Sequence, residues 1–364
     1  MTFSMGVDPT PAPNAPSRST AVLEYDAQVS DRTTVALALG SGGARGFAHI
    51  GALQVVEERG FEVVSVAGSS MGALVGGLFA AGKLAEYTEW VVGLTQLDVV
   101  RLLDLSVSAP GAIRAEKILA RVRELLDGAL IEDLPIAYTA VATDLFARKE
   151  VWFQKGRVET AIRASIAIPG IITPVMLNGR LLADGGMMDP VPIAATAAAH
   201  ADVTLAISLS GESPGSPDSA LVVETAEVRP VEEWSDRFRR SAAHLLDRDL
   251  VRSLVNRFGG GPDPSAGEGE PDIGAGSSDP AAPDGPIADA FEKLPDGLSK
   301  FDMMNLSLEA MQSLLARYRL AGYPPDVLVA VPKDACRTLD FHRADEMVAL
   351  GRTLTTEALD QAGL

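Results

Sequence analysis

Short apolar runs that end in glycine alternate with stretches of helical period over the first two hundred or so residues. Thr33–Gly40 (TTVALALG) is one such run, suited in length and composition to a buried strand. Ala44–Gly60 (ARGFAHIGALQVVEERG) carries apolar residues at helical spacing and stops on a glycine. Phe61–Gly68 predicts a second buried strand and Met71–Gly82 a second helix. Strand, glycine turn, helix, strand, sharp turn, helix is the order of a parallel α/β sheet. Farther on the pattern predicts a helix over 114–126, strands at Ile136–Leu145 and Glu150–Gly156, and a helix stopped by Pro169 and Gly170. A strand end and a turn come next in Arg180–Ile193, then a buried strand at Ala201–Ser210. Sheet-and-helix order returns with a helix around 303–320, a strand at Asp326–Val331 and a last helix from Arg343. The expected fold is α/β: a central, mainly parallel sheet with helices on both faces.

Between these stretches the composition shifts. Residues 1–31 predict a disordered leader, and 32–210 a catalytic core. Residues 211–300 read as an insertion: a basic amphipathic helix at Arg237–Phe258, then a Gly/Pro/Asp/Ser-rich disordered segment at 259–286. Residues 301–364 supply a helix, strand and helix that complete the domain.

Composition narrows the function. In 364 residues 47% are apolar, enough for a sizeable core, and the net charge of −18 argues against nucleic acid and against electrostatic docking on anionic lipid. The basic stretch at Arg237–Phe258 leaves a peripheral membrane contact open. One cysteine, Cys336, excludes an intrachain disulfide and a Cys-rich metal site. No segment predicts a signal peptide or a membrane span, so the chain reads as cytoplasmic and soluble, with contact to a membrane surface still allowed.

Candidate chemistry gathers at glycine turns. Ser70 stands in Gly68-Ser69-Ser70-Met71-Gly72, a G-x-S-x-G turn between strand and helix. Such a turn exposes the serine and gives an acyl group room to approach. A serine nucleophile also needs a base and an oxyanion hole. Gly40–Gly46 (GSGGARG) ends the first strand. It lacks the G-K-[ST] of a nucleotide loop, and Arg45 stands where a dinucleotide fingerprint ends in glycine. Free backbone amides at the C-terminal edge of the sheet fit an oxyanion hole better. For the base, a histidine triad needs an acid and then a histidine after the serine. Of four histidines, His49 precedes Ser70, and His200, His244 and His342 sit beside no Gly- or Asp-rich loop. Asp184, in Ala183-Asp184-Gly185-Gly186, is a second candidate; alone it reads equally as a turn aspartate.

Taken together, SGGARG (Ser41–Gly46), GSSMG (Gly68–Gly72), SIAIPG (Ser165–Gly170) and DGG (Asp184–Gly186) resemble, in order, the signatures of the patatin-like phospholipases. The resemblance covers roughly residues 33–210 and, less closely, 326–350. It implies a three-layer α/β/α fold and a lipid acyl hydrolase acting on a lipid or phospholipid substrate. Ser70 would be the nucleophile and Asp184 its base, with no cofactor and no metal. The amides of Gly42, Gly43 and Ala44 would form the oxyanion hole, with Arg45 orienting the loop or a substrate phosphate. Gly46, Gly68, Gly72, Gly185 and Gly186 would be the motif glycines. Ser41 departs from the family's first glycine, which bears on any role needing φ > 0 there. A Ser-His-Asp esterase on small soluble esters and a non-catalytic lipid-binding protein on the same fold are the alternatives.

Overall fold

The computed structural model describes residues 32–102, 111–113, 115–211 and 300–364. The leader, the basic stretch at 237–258 with His244, and the segment 259–286 lie outside the described residues. The sheet and its helices belong to the unit Thr33–Leu364.

β1 (Thr34–Leu39), β2 (Glu62–Ser69), β4 (Ala137–Asp144), β9 (Val203–Gly211) and β10 (Val327–Pro332) lie parallel in the order β10-β9-β1-β2-β4. Each is rich in Val, Ile, Leu and Ala, as a strand covered on both faces must be. Their side chains divide by size. Val35, Leu37, Leu39, Val66, Leu205 and Ile207 point into the main core, while Ala38, Ala67 and Ala206 face the other side. The main core is covered by α1 (Ala48–Glu58), α2 (Met71–Ala80) and α8 (Ala344–Ala362). On the alanine face the 3-10 turn Ile193–Thr196 and α7 (Lys300–Gly322) approach closely, seating Val191, Ile193 and Ala316 against Ala38 and Ala206. Fully burying a leucine contributes about 1.5–3 kcal/mol, so the large-residue face carries most of the stability.

The sheet changes character at β4. Along one edge, β2 pairs with Ala137–Val141; beyond it the antiparallel strand β8 (Arg180–Asp184) takes over at Ala142–Asp144. On the other edge β5 (Lys149–Phe153) turns back on β4, and β7 (Val175–Leu177) continues outward from β8. Thus Val141 is registered to Ser69 while the next residue, Ala142, is registered to Asp184. One strand sets the positions of both candidate catalytic side chains.

Several boundaries differ from the sequence reading. The helix expected from Ala44 begins as a 3-10 turn over Gly43–Phe47 and becomes α1 at Ala48. Gly43 at φ 57° redirects the chain, and the Ala44 amide goes to Thr338 instead of opening an α-helix. α3 (Leu84–Val92) and α4 (Gln96–Leu102) were not expected; with α5 (Glu116–Leu126) and α6 (Val158–Ser165) they flank the C-terminal end of the sheet's main face. Two three-residue strands, β3 (Gly111–Ile113) and β6 (Gly170–Ile172), form a separate parallel pair.

Candidate active site

β1 and β2 end side by side, with Leu39 registered to Gly68, so the glycine loop and the serine turn emerge together. Ser70 comes directly after β2 with φ 56° and ψ −120°, a backbone state that L-residues avoid. Neighbouring packing holds it there. A Cβ on Gly72 would overlap the Leu39 carbonyl, and one on Gly68 would overlap the backbone of Gly72, so both glycines let α2 close onto the strand ends. The Ser70 amide donates to Ser165 Oγ at 2.8 Å, and Ser165 Oγ–H donates to the Val141 carbonyl at 2.6 Å. Gly46 lies over Met71, where a Cβ would overlap the Met71 side chain.

Asp184 closes β8. Its amide donates to the Ala167 carbonyl at 2.9 Å, and its carbonyl accepts from Thr143 Oγ1 at 2.8 Å. Its Oδ1 accepts the Gly186 amide at 2.8 Å, while Oδ2 meets no aligned donor. The hydroxyls of Ser70 and Ser41 both act on the carboxylate. They are within reach without closing tight hydrogen bonds, a looseness common in catalytic pairs before substrate is bound. Burial pushes the Asp184 carboxyl up to about 6, and the Ser70 hydroxyl, the Gly186 amide and the Ser41 hydroxyl draw it back down. Gly185 sits under the Val141 carbonyl, which a Cβ there would overlap.

The glycine loop is braced from behind. Its amides divide into committed and free: Gly40 donates to Ile207, Ser41 to Pro190 and Ala44 to Thr338. Among the described residues no acceptor takes the amides of Gly42 or Gly43. Ala44 is therefore removed from the expected oxyanion set, because its N–H is already used at 2.9 Å. Arg45 is also reassigned. Its guanidinium donates to the Lys333 carbonyl and pairs with Glu309 of α7 at 3.9 Å, tying the loop to the C-terminal segment. Met71, which no sequence motif singled out, comes directly after Ser70 and opens α2 with an amide that has no intrahelical acceptor.

The histidines are occupied elsewhere. His49 is fully buried, donates Nε2–H to the Gly40 carbonyl at 2.8 Å, and is held by burial at a pKa of about 4. His200 is exposed beyond the 3-10 turn at Ile193–Thr196, and His342 lies half-buried before α8. Among the described residues no histidine hydrogen-bonds Ser70 or Asp184. Nor is there, among them, any group of three His, Cys, Asp or Glu side chains placed to hold a metal.

Ser70 opens onto an apolar cleft of about 820 Å³, walled by Leu74, Tyr87, Trp90, Ile166, Ile171 and Phe341 among others. Here the S-x-A-x-P-G stretch serves three ends. Ser165 props the Ser70 turn, Ala167 anchors Asp184, and Ile166 and Ile168 line the cleft. Its resemblance to a family signature is visible in the sequence, but these roles are not.

No described helix is long and apolar enough to cross a membrane. A profile of the patatin-like phospholipases matches residues 37–197. An uncharacterized NTE family protein of Mycobacterium tuberculosis is 51% identical over 343 residues, covering 91% of this chain and 92% of the relative. The human patatin-like phospholipase domain-containing protein 6 is 31% identical over 193 residues, 51% of this chain but only 14% of that protein. VipD from Legionella pneumophila superposes with a TM-score of 0.45 and 14% identity, covering 92% of this chain and 67% of that one. With half its residues shared across nearly the full length of an NTE family relative, and the family signatures meeting around one cleft, the chain belongs to the patatin-like phospholipase family.

Proposed function

We propose that this protein is a serine acyl hydrolase that cleaves fatty-acyl esters of lipids through Ser70 and Asp184, without metal or cofactor. The observation that carries the reading is the juxtaposition of Ser70, on its strained turn, with a buried carboxylate at the mouth of an apolar cleft. Asp184, with a pKa of about 6, is ionised near neutral pH and is a stronger base than an ordinary aspartate. It accepts the Ser70 proton as Oγ attacks the ester carbonyl. The resulting oxyanion lies against the free amides of Gly42 and Gly43 and the first amide of α2 at Met71. Collapse expels the alcohol, which takes the proton from Asp184, and leaves an acyl ester on Ser70. Water then gives a proton to Asp184 and attacks the acyl carbonyl. The fatty acid departs and the proton returns to Ser70 Oγ.

The cleft wall supports a lipid acyl chain in preference to a polar acid, because its lining offers almost no hydrogen-bonding groups to satisfy one. The occupied histidines leave the Ser-His-Asp alternative without an observation in its favour. Hydrolysis of a medium-chain p-nitrophenyl ester by wild type, Ser70→Ala and Asp184→Asn, with mass spectrometry of a fluorophosphonate adduct, tests the reading. Both variants are expected to lose activity by about three orders of magnitude or more, with the label on Ser70. Substantial activity in either variant, or a label elsewhere, would refute it.

A further inference from the structure

Serine at position 41 interrupts the glycines of its loop, and the fold gives that side chain a specific neighbour. Ser41 donates its amide to the Pro190 carbonyl at 2.8 Å, which pins it to the chain beyond Asp184. Its φ is not positive; the left-handed position of the loop falls at Gly43, φ 57°. A side chain is therefore carried at position 41 without backbone strain. The Ser41 hydroxyl fills the space beside Gly186: a Cβ on Gly186 would overlap it and would stand 3.0 Å from Asp184 Oδ1. Gly186 in turn gives its amide to that Oδ1 at 2.8 Å. The glycine loop and the turn after β8 thus bring a hydroxyl and an amide to the same carboxylate.

We propose that Ser41 is a positioning residue for Asp184, its hydroxyl orienting the carboxylate for proton transfer and becoming its one remaining side-chain donor when Ser70 is acylated. The proposal rests on the reading of Asp184 as the base. In the resting site the hydroxyls of Ser70 and Ser41 both act on Asp184. Acylation turns Ser70 Oγ into an ester oxygen, and its proton leaves with the alcohol. The Gly186 amide and the Ser41 hydroxyl then hold the carboxylate while it takes a proton from water. No charged or other titratable side chain takes over this task. Around Asp184 stand the uncharged residues Ala142 of β4, the Ser70 turn, the glycine loop and Ala167, and no ion pair bears on its ionisation. A hydroxyl donor favours the charged carboxylate, so losing it makes Asp184 harder to ionise.

The test compares wild type with Ser41→Ala, Ser41→Gly and Ser41→Thr. Each protein carries 13C-labelled aspartate carboxyls, and the Asp184 signal is assigned by its loss in Asp184→Asn. Asp184 is expected to titrate about half to one pH unit higher in the Ala and Gly variants, and back toward wild type in the Thr variant. The acid limb of kcat/KM for a p-nitrophenyl ester should move with it, and steady-state turnover should fall more than the acylation burst. An unmoved titration in folded Ser41→Ala and Ser41→Gly overturns the proposal. The titration needs no turnover, so it separates the two ideas. An inactive Asp184→Asn with an unmoved titration removes the role of Ser41 alone. A fully active Asp184→Asn removes the dyad, and the role of Ser41 with it.

Discussion

Ser165 Oγ lies between the amide of Ser70 and the carbonyl of Val141, at 2.8 and 2.6 Å, and both bonds are buried. It joins the strained serine turn to the strand that registers Asp184. The backbone of Ser70 is held in a region that the chain would leave if unrestrained. Replacing Ser165 by alanine leaves a buried donor and a buried acceptor unpaired, a cost of about 1–3 kcal/mol each. Ser165→Ala should therefore melt at lower temperature and lose about ten- to a hundredfold in kcat, because the Ser70 hydroxyl no longer sits fixed against its base. Thermal melts together with ester hydrolysis check this. Wild-type kcat in the variant would show that the turn holds Ser70 unaided.

Much of this site is legible in the sequence because local backbone chemistry dictates it. Gly68, Ser70 and Gly72 are demanded by a tight strand-to-helix turn, and the apolar runs before each motif could only be buried strands. Longer-range relations are not legible. Nothing near Ala44 announces that Thr338, almost three hundred positions later, takes its amide and withdraws it from the oxyanion set. Arg45 is committed in the same way to Lys333 and Glu309. α3 and α4 escape the periodicity because short helices on a cleft wall bury two faces and blur their period. The β7–β8 hairpin goes unexpected despite a local signal. Asn178 and Gly179, at φ 50° and 76°, make the tight Asn-Gly turn that joins its strands.

Two buried groups titrate against each other as the pH falls. His49 has its pKa lowered from 6.5 to about 4 by burial, tempered by the Gly40 hydrogen bond. The unfolded chain takes up this proton first, so stability is lost as pH falls from about 6.5 toward 4. Asp184 is the reverse: its folded pKa is raised from 3.8 to about 6, so its contribution is fully present below the unfolded value and is lost as pH rises through about 6. Each effect is on the order of 3 kcal/mol, and in wild type they largely cancel between about pH 4 and 6. His49→Gln keeps a donor for Gly40 but cannot ionise. Its stability relative to wild type should rise as pH falls through that window, while that of Asp184→Asn should fall. Urea titrations at several pH values decide this, and parallel curves for all three proteins would show that neither group is coupled to folding.

The cleft wall sets a length limit that can be moved. Ile171 and Leu74 both line the apolar space that opens at Ser70. Ile171→Trp adds bulk to a wall already faced by Tyr87 and Trp90, shortening the space for an acyl chain. The variant should keep hydrolysis of a short p-nitrophenyl ester within a few-fold and lose a long-chain ester by tenfold or more, about 1.4 kcal/mol in selectivity. Equal loss on both esters would mean that the acyl chain lies elsewhere.

Arg319 of α7 reaches under the turn that carries the catalytic aspartate. Its Nη2 donates to the Met188 carbonyl at 3.3 Å and pairs with Glu150 at 3.2 Å, and its Nε faces Asp189 Oδ1 at 3.7 Å. Asp189 is fully buried, and its own carbonyl accepts from Ser69 Oγ at 2.6 Å, beside the nucleophile. Burial raises the Asp189 pKa, Arg319 lowers it, and nearby Glu150 raises it again. The guanidinium is the one cation among these influences. Without it two carboxyls face each other in a dry site, and one must hold a proton. Arg319→Met should destabilise the protein by about 3 kcal/mol and lower activity, since the turn from Gly185 to Asp189 loses its anchor. The defect should ease on acidification: a carboxyl with a raised folded pKa stabilises below that value and costs stability as pH rises through it. Adding Asp189→Asn to Arg319→Met should recover most of the loss at neutral pH, because an amide leaves no charge uncompensated. Chemical denaturation of the two single variants and the double variant gives the coupling energy directly. Additive losses would mean that Arg319 acts only through the Met188 carbonyl and the Glu150 carboxylate.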